Sequence, residues 1–330
     1  MKNQLVDNFG RRVNYLRISV TDRCDFRCVY CMDEKMQFLS RHQILSLEEI
    51  FQIAQAFVQL GVEKIRITGG EPLVRRNILW LFEKLSQLNG LKELVLTTNG
   101  SQLKNIAQNL KNSGVKRLNI SLDTLKADRF QKITRTGRLS DVLAGIQQAK
   151  QVGFKRIKIN SVIMKHRNAD EIIDLVNFAL REDLDITFIE EMPLGLMSDH
   201  DREAVFYSSD EVLQDLQQHF DLTALSETSG GPATYYQIIG TSNKIGFISP
   251  HSHNFCETCN RVRLTAEGRL LLCLGQEHSV DLRNIVRTYP NDQAKLEQTL
   301  IESMHLKPQG HDFNLAEQPL IFRYMNHTGG

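Results

Sequence analysis

The chain opens without the apolar stretch of a secretory signal. Met1-Lys2-Asn3-Gln4 runs straight into polar sequence, which predicts a cytoplasmic protein. No apolar run approaches the ~18 residues of a membrane span, although 41% of the 330 residues are hydrophobic. Basic charge is not in excess either. A net charge of +1 speaks against general nucleic-acid binding, so an anionic ligand would need a local set of Lys and Arg. There is no low-complexity tract. Cysteine is scarce, with six residues in all. With no oxidising compartment indicated, close thiol spacing favours metal over disulfides. At 330 residues the chain exceeds the usual single core and predicts about two domains.

The cysteines fall into two triads, Cys24-x3-Cys28-x2-Cys31 and Cys256-x2-Cys259-x13-Cys273. Three thiolates suit a four-iron cluster with one iron left open to a ligand. His251 and His253 stand just before the second triad, so a Cys3His zinc site fits it equally well. The first triad has an unusual spacing for zinc, and Tyr30 lies between its last two cysteines.

Short β-branched stretches alternate with amphipathic ones. Strands are expected at 16–20, 64–68, 94–98, 117–122, 156–163 and 186–190, with helices at 47–60, 78–88, 103–111, 141–152 and 169–180. Ile50, Ile53, Ala54, Phe57 and Leu60 recur on one helical face. Such units imply right-handed parallel crossovers. An α/β fold of the open, partial (β/α)6 TIM-like barrel type is expected, with a doubly wound sheet as the alternative. An eight-stranded barrel would need two further units. Thr68-Gly69-Gly70-Glu71-Pro72 and the first cysteine loop then share the C-terminal rim, where barrel enzymes build active sites. Gly69 and Gly70 allow close backbone approach to a ligand, Glu71 would accept from an amino group, and Pro72 holds Glu71 extended. The breaker Ser229-Gly230-Gly231-Pro232 and a hairpin over 235–240 and 244–249 divide the chain into a core at 1–229 and a cluster domain at 230–330. Residues 197–220 fit either.

The first triad with its aromatic, followed by Gly-Gly-Glu-Pro after the second strand, resembles the radical S-adenosylmethionine enzymes. Cys256-x2-Cys259-Asn260-Arg261-Val262-Arg263, then Cys273 and a terminal Gly329-Gly330, is similar to the GTP 3′,8-cyclase family within them. The resemblance covers Arg17 to the end of the chain. It implies two [4Fe–4S] clusters, held by Cys24, Cys28 and Cys31 and by Cys256, Cys259 and Cys273, with the C-terminal iron–sulfur domain covering the open side of the barrel. S-Adenosylmethionine would bind the first cluster near Tyr30, Gly70, Ser121 and Met192. Its reductive cleavage would give a deoxyadenosyl radical that takes the ribose 3′ hydrogen of GTP, after which C3′ attacks C8. The GTP contacts implied are Arg17, Arg66, Thr97, Lys158, Arg261, Val262 and Arg263, with Arg261, Arg263, Gly329 and Gly330 in catalysis. Arg17, Arg66 and Lys158 fall inside expected strands, where a charge is costly without a partner. The partners implied are GTP, an external one-electron donor, a cyclic pyranopterin monophosphate synthase receiving the product, and a second copy in a homodimer. No membrane or nucleic acid is expected.

The chain departs from the family at two places. Thr187 replaces an Arg in the sixth strand, so a phosphate-binding cation is absent or is supplied by Lys64 or another residue. Asp25 stands where the family has Asn, and a carboxylate pointing inward would lower the cluster's potential. Two other classes fit parts of the pattern: a radical peptide modifier with an auxiliary cluster, and a zinc protein that binds a partner or RNA. The first generally carries more cysteines and lacks Asn-Arg-x-Arg. The second predicts zinc in place of iron.

Overall fold

A computed structural model describes residues 4–197, 200–226, 230–315 and 321–329. Ser229, in the expected breaker, and Gly330, in the terminal pair, lie outside the described residues. Strand and helix alternate as the periodicities predict: β1 (Tyr15–Ser19), α1 (Leu47–Gln59), β2 (Lys64–Thr68), α2 (Ile78–Ser86), β3 (Glu93–Thr98), α3 (Leu103–Asn112) and β4 (Arg117–Ser121), then α4 (Ala127–Thr134), α5 (Leu139–Gln151), β5 (Ile157–Val162), α6 (Ile172–Arg181) and β6 (Asp185–Ile189). Local chemistry fixes several of these ends. Ser46 and Glu49 form a reciprocal capping box at the start of α1, and Ile50, Ile53, Ala54 and Phe57 bury its inner face. Helix α4 was not anticipated. It anchors through Phe130, which packs edge-on against Phe26 of the first cysteine loop.

The second half continues with α7 (Arg202–Val205), α8 (Ser209–Gln217), β7 (Leu222–Leu225), β8 (Thr234–Ile238), β9 (Lys244–Ile248), β10 (Arg261–Leu264), β11 (Arg269–Leu271), β12 (Ser279–Asp281), α9 (Leu282–Thr288), α10 (Gln293–Ser303) and α11 (Met325–Thr328). The hairpin expected near 240 is β8–β9. Strands β1 to β6 pair in parallel in chain order, and the sheet stays open with β12 and β7 at its ends. The sequence shows no further strand–helix units, yet the parallel run is longer than six strands. β10 joins β1 and β9 joins β6, both in parallel. C-terminal segments thus extend both edges of the partial barrel. The apolar core is shared, since Val262, Leu264, Leu296 and Leu300 belong to the same buried cluster as the barrel residues. Among the described residues no helix is long and apolar enough to cross a membrane.

Candidate functional site

The first cysteine loop leaves the C-terminal end of β1 and is pinned to its neighbour by backbone bonds. The amide of Gly70 donates to the Thr21 carbonyl at 2.7 Å, and that of Glu71 to the Arg23 carbonyl at 2.8 Å. A Cβ on Gly70 would lie 2.3 Å from the Arg23 oxygen, and one on Gly69 2.7 Å from that of Thr21. The glycine pair therefore serves an approach to the cysteine loop, where the sequence suggested an approach to ligand. Glu71 likewise differs from expectation. Its fully buried carboxylate accepts from Leu73 N at 3.0 Å, Thr98 Oγ1 at 2.8 Å and Asn99 N at 2.6 Å. It braces the loops after β2 and β3. Burial raises its pKa to about 7, against those hydrogen bonds.

Cys24, Cys28 and Cys31 line one cavity with Tyr30, Gly70, Ser121 and Met192, so the structure brings the four expected S-adenosylmethionine contacts to the first triad. Thr97, Asn99, Asp123, Asn160 and Glu191 join them there. Tyr30 donates to Asp123 at 2.7 Å; burial raises that carboxyl to about 6 despite this bond and one from Val162 N. Asp25 does lie beside the triad, 3.9 Å from Cys24 Sγ. Asn99 at 2.6 Å, Ser101 at 2.6 Å and Gln102 at 3.2 Å donate to it. None of the six cysteines is in a disulfide. Burial pushes the Cys31 thiol up to about 12; burial, then Glu71, pushes Cys24 up, and burial, then the two neighbouring thiols and Asp123, pushes Cys28 up. Such thiols give up their protons readily only to a metal. Among the described residues no three His, Cys, Asp or Glu side chains gather at a single-ion position. The thiols instead ring a space, which fits a multi-iron cluster.

The second triad is built where β10 and β11 pair. Cys259 precedes β10 and Cys273 follows β11, with Arg263 opposite Leu271. Cys256, Cys259 and Cys273 line a second cavity with Arg17, Arg261, Val262, Arg263, Phe255, His311 and Phe313. The alternative zinc ligands are engaged elsewhere: His251 Nε2 lies 2.8 Å from the Glu191 carbonyl oxygen, and His253 Nε2 lies 2.8 Å from Asp210. Cys259 differs from Cys273, which burial raises. Burial would raise Cys259 too, but the Arg261 and Lys307 charges outweigh that and lower it. Asn160, Ile189, Met192 and Met325 line both cavities, so the two triads face one connected space inside the barrel.

Arg263, Arg17 and Arg66 stand at one register level, Arg17 on β1 between Arg263 on β10 and Arg66 on β2; Arg17 and Arg263 line the second cavity, and Arg66 is buried beside it. Their partners in the structure are neutral or phenolic: Arg66 donates to Tyr15 Oη at 2.5 Å and Thr97 Oγ1 at 2.8 Å, Arg261 lies over the Phe255 ring at 4.8 Å, and Arg263 donates to the Gly329 carbonyl. Burial, then Arg17 and Arg261, pushes Arg263 well below the usual guanidinium range. Burial would raise Tyr15, but Arg66, Arg17 and Lys64 lower it to about 7. This row suits a ligand carrying several negative charges. Lys158 is level with Thr97 through Asn119 on β5, β4 and β3; it bonds Tyr235 at 2.5 Å and lines a further cavity with Arg117, Arg156, Lys244, Glu93 and Asp185. Lys64, the possible replacement cation, pairs with Glu93 at 3.0 Å. Thr187 is buried with its hydroxyl unbonded.

Gly329 is buried at φ 78°, and a Cβ there would lie 2.3 Å from Thr68 Cγ2. Asn326 of α11 donates to the Asp22 carbonyl at 2.8 Å, which seats the tail on the barrel mouth. Asp123 and Asn160 stand at the expected ends of the fourth and fifth strands, on the rim, although the sequence alone assigns them no role. Sequence reasoning missed His311 and Lys307, which are far from the motifs in sequence, and only the fold brings them near.

The chain matches the Radical SAM superfamily over residues 18–179 and Molybdenum Cofactor Synthesis C over residues 184–313. It is similar to the GTP 3′,8-cyclase of Pseudomonas putida strain KT2440, with 59% identity over 327 residues, 99% of this chain and 98% of that one. It is also similar to the GTP 3′,8-cyclase of Saccharophagus degradans, with 55% identity over 326 residues, again 99% and 98%. In fold it is similar to the crystal structure of Streptococcus suis SuiB bound to S-adenosylmethionine. There the TM-score is 0.62 at 16% identity, covering 85% of this chain and 66% of that chain.

Proposed function

The chain belongs to the GTP 3′,8-cyclase family of radical S-adenosylmethionine enzymes, and from that membership we propose how its two triads divide the work. The reaction is the radical cyclisation of GTP to (8S)-3′,8-cyclo-7,8-dihydroguanosine 5′-triphosphate, the first step of molybdenum-cofactor biosynthesis. The enzyme uses S-adenosylmethionine and iron–sulfur clusters. When bound, these supply a one-electron reduction, hydrogen abstraction at the ribose and a metal-centred hold on the purine. Cys24, Cys28 and Cys31 hold the radical-generating cluster, and Cys256, Cys259 and Cys273 the substrate-binding one. Each triad falls to one part, the first to a core at 1–229 and the second to a cluster domain at 230–330.

Tyr30, Gly70, Ser121 and Met192 shape the S-adenosylmethionine side of the space. Arg17, Arg66, Thr97, Arg261, Val262 and Arg263 receive GTP, the guanidiniums forking onto phosphate oxygens. Lys158 joins them through a triphosphate extended down the barrel, because Thr97, Asn119 and Lys158 share a register level on β3, β4 and β5. Arg261 and Arg263, with Gly329 and Gly330, orient the reacting groups. The enzyme works in the cytoplasm as a homodimer, takes electrons from an external one-electron donor and passes its product to a cyclic pyranopterin monophosphate synthase.

The connected space carrying a triad on each side is the observation that carries this division. The test is anaerobic incubation of reconstituted protein with GTP, S-adenosylmethionine and dithionite, followed by mass spectrometry. A GTP isomer together with 5′-deoxyadenosine is expected. Cleavage of S-adenosylmethionine with GTP left intact would refute it.

A further inference from the structure

Beside the second triad lies a buried lysine that stands outside the lining of its cavity. Lys307 follows α10 and is 3% exposed, yet it does not line the cavity of the second triad. Its Nζ donates to the Leu272 carbonyl at 2.8 Å, the Arg261 carbonyl at 3.2 Å and Cys259 Sγ at 3.4 Å. These contacts use all three of its protons, and none of the acceptors is a carboxylate. Burying an ammonium among neutral carbonyls is costly. Of its three acceptors, the one that can carry negative charge is the Cys259 sulfur.

The segment after Lys307 is fixed across the triad. Arg11 donates to the carbonyls of Cys256 at 2.7 Å, Pro308 at 2.5 Å and Gln309 at 2.7 Å. A Cβ on Gly310 would lie 3.6 Å from Cys256 Sγ. The first triad has the opposite surroundings, with the Asp25 carboxylate 3.9 Å from Cys24 Sγ. A cation donating to a ligand sulfur withdraws electron density and favours the reduced cluster; a nearby anion does the reverse.

We propose that Lys307 is a positioning residue that raises the reduction potential of the second cluster relative to the first and strengthens that cluster's hold on an electron-donating purine. The inference rests on the second triad holding a cluster. That premise fails separately, if wild-type protein reconstitutes with iron for only one cluster per chain.

The test is a potentiometric titration of the holoenzyme followed by electron paramagnetic resonance. The two signals are assigned by which one responds to S-adenosylmethionine and which to GTP. In Lys307→Met the potential of the second cluster should move to a more negative value, with the first unchanged and GTP binding weakened. Lys307→Arg should stay near wild type. An unchanged second potential in Lys307→Met, or an equal shift of both clusters, would overturn the proposal. If Lys307→Met does not retain the second cluster, Lys307→Gln takes its place in the comparison, with the same two outcomes. Loss of the cluster in both neutral variants but not in Lys307→Arg supports a requirement for the charge. Loss in all three variants overturns it and leaves Lys307 as a packing residue.

Discussion

Arg263, Arg17 and Arg66 occupy one level of three adjacent strands, and the hydroxyl of Tyr15 sits among their charges. Burial alone would hold the phenol above its ordinary value, yet Arg66, Arg17 and Lys64 bring it to about 7. The phenolate is therefore half formed near neutrality in the free enzyme and is lost as pH falls below that value. A bound triphosphate neutralises the same guanidiniums, so GTP should move the Tyr15 titration upward. Carbon-13 tyrosine NMR, with Tyr15→Phe as the assignment control, reads this directly; a Tyr15 resonance that titrates near 10 without GTP contradicts it. The same electrostatics predicts the effect of truncating a cation. Arg261→Ala or Arg263→Ala removes a charge-assisted bond of about 1.5–3 kcal/mol, and GTP should bind roughly 10- to 150-fold more weakly. Titration calorimetry checks this, and S-adenosylmethionine should bind as before. The cations were legible in sequence because a charge inside an apolar strand needs a reason. Lys307 was not, because a Lys after a helix end reads as surface until the fold buries it beside Cys259.

At the scale of elements, the loop after β2 and the first cysteine loop behave as one unit. Gly70→Ala would drive a methyl to 2.3 Å from the Arg23 oxygen, next to the first ligand cysteine. Relief by backbone movement should cost about 1–3 kcal/mol. Iron at the first site should fall while the second keeps its own, as iron analysis and spectroscopy would show. The triads themselves separate by variant. Cys28→Ala should abolish S-adenosylmethionine cleavage, whereas Cys259→Ala should retain uncoupled cleavage and lose cyclisation. Normal cyclic product from Cys259→Ala would make the second site structural. The six barrel strands could be read from sequence because five are β-branched runs followed by an amphipathic helix and the sixth ends that series. The parallel pairing of β9 and β10 could not, since their partners β6 and β1 are remote in the chain and nothing local in 244–248 or 261–264 encodes a parallel neighbour. The role of Glu71 was misread for a related reason: the donors that consume its carboxylate come from Thr98 and Asn99, on the next strand's loop.

At the scale of the whole molecule, the last turn of the chain returns to the first strands. Asn326 bonds the backbone at Asp22, Gly329 packs where a Cβ would meet Thr68, and its carbonyl accepts a hydrogen bond from Arg263. Met325 lines both cavities. Only a residue without a side chain fits the Thr68 contact at positive φ, which gives Gly329 a steric reason. The tail closes the space between the triads and orients Arg263 through a neutral carbonyl, but it supplies no thiol and no cation. Deleting Gly329 and Gly330 should therefore leave iron content and GTP affinity near normal while cyclisation falls sharply, because alignment of the reacting groups is lost and binding is kept. Replacing Gly329 with Ala should reproduce the defect, since the methyl cannot pass Thr68, and pairing it with Thr68→Ala should relieve it in part. Added Gly-Gly, or a longer peptide copying the C-terminus, should restore some activity to the truncated enzyme. Single-turnover assays at saturating GTP separate the two effects: a normal dissociation constant with a slow chemical step is the expected result. Full activity after truncation would show that the tail only fills the mouth of the barrel.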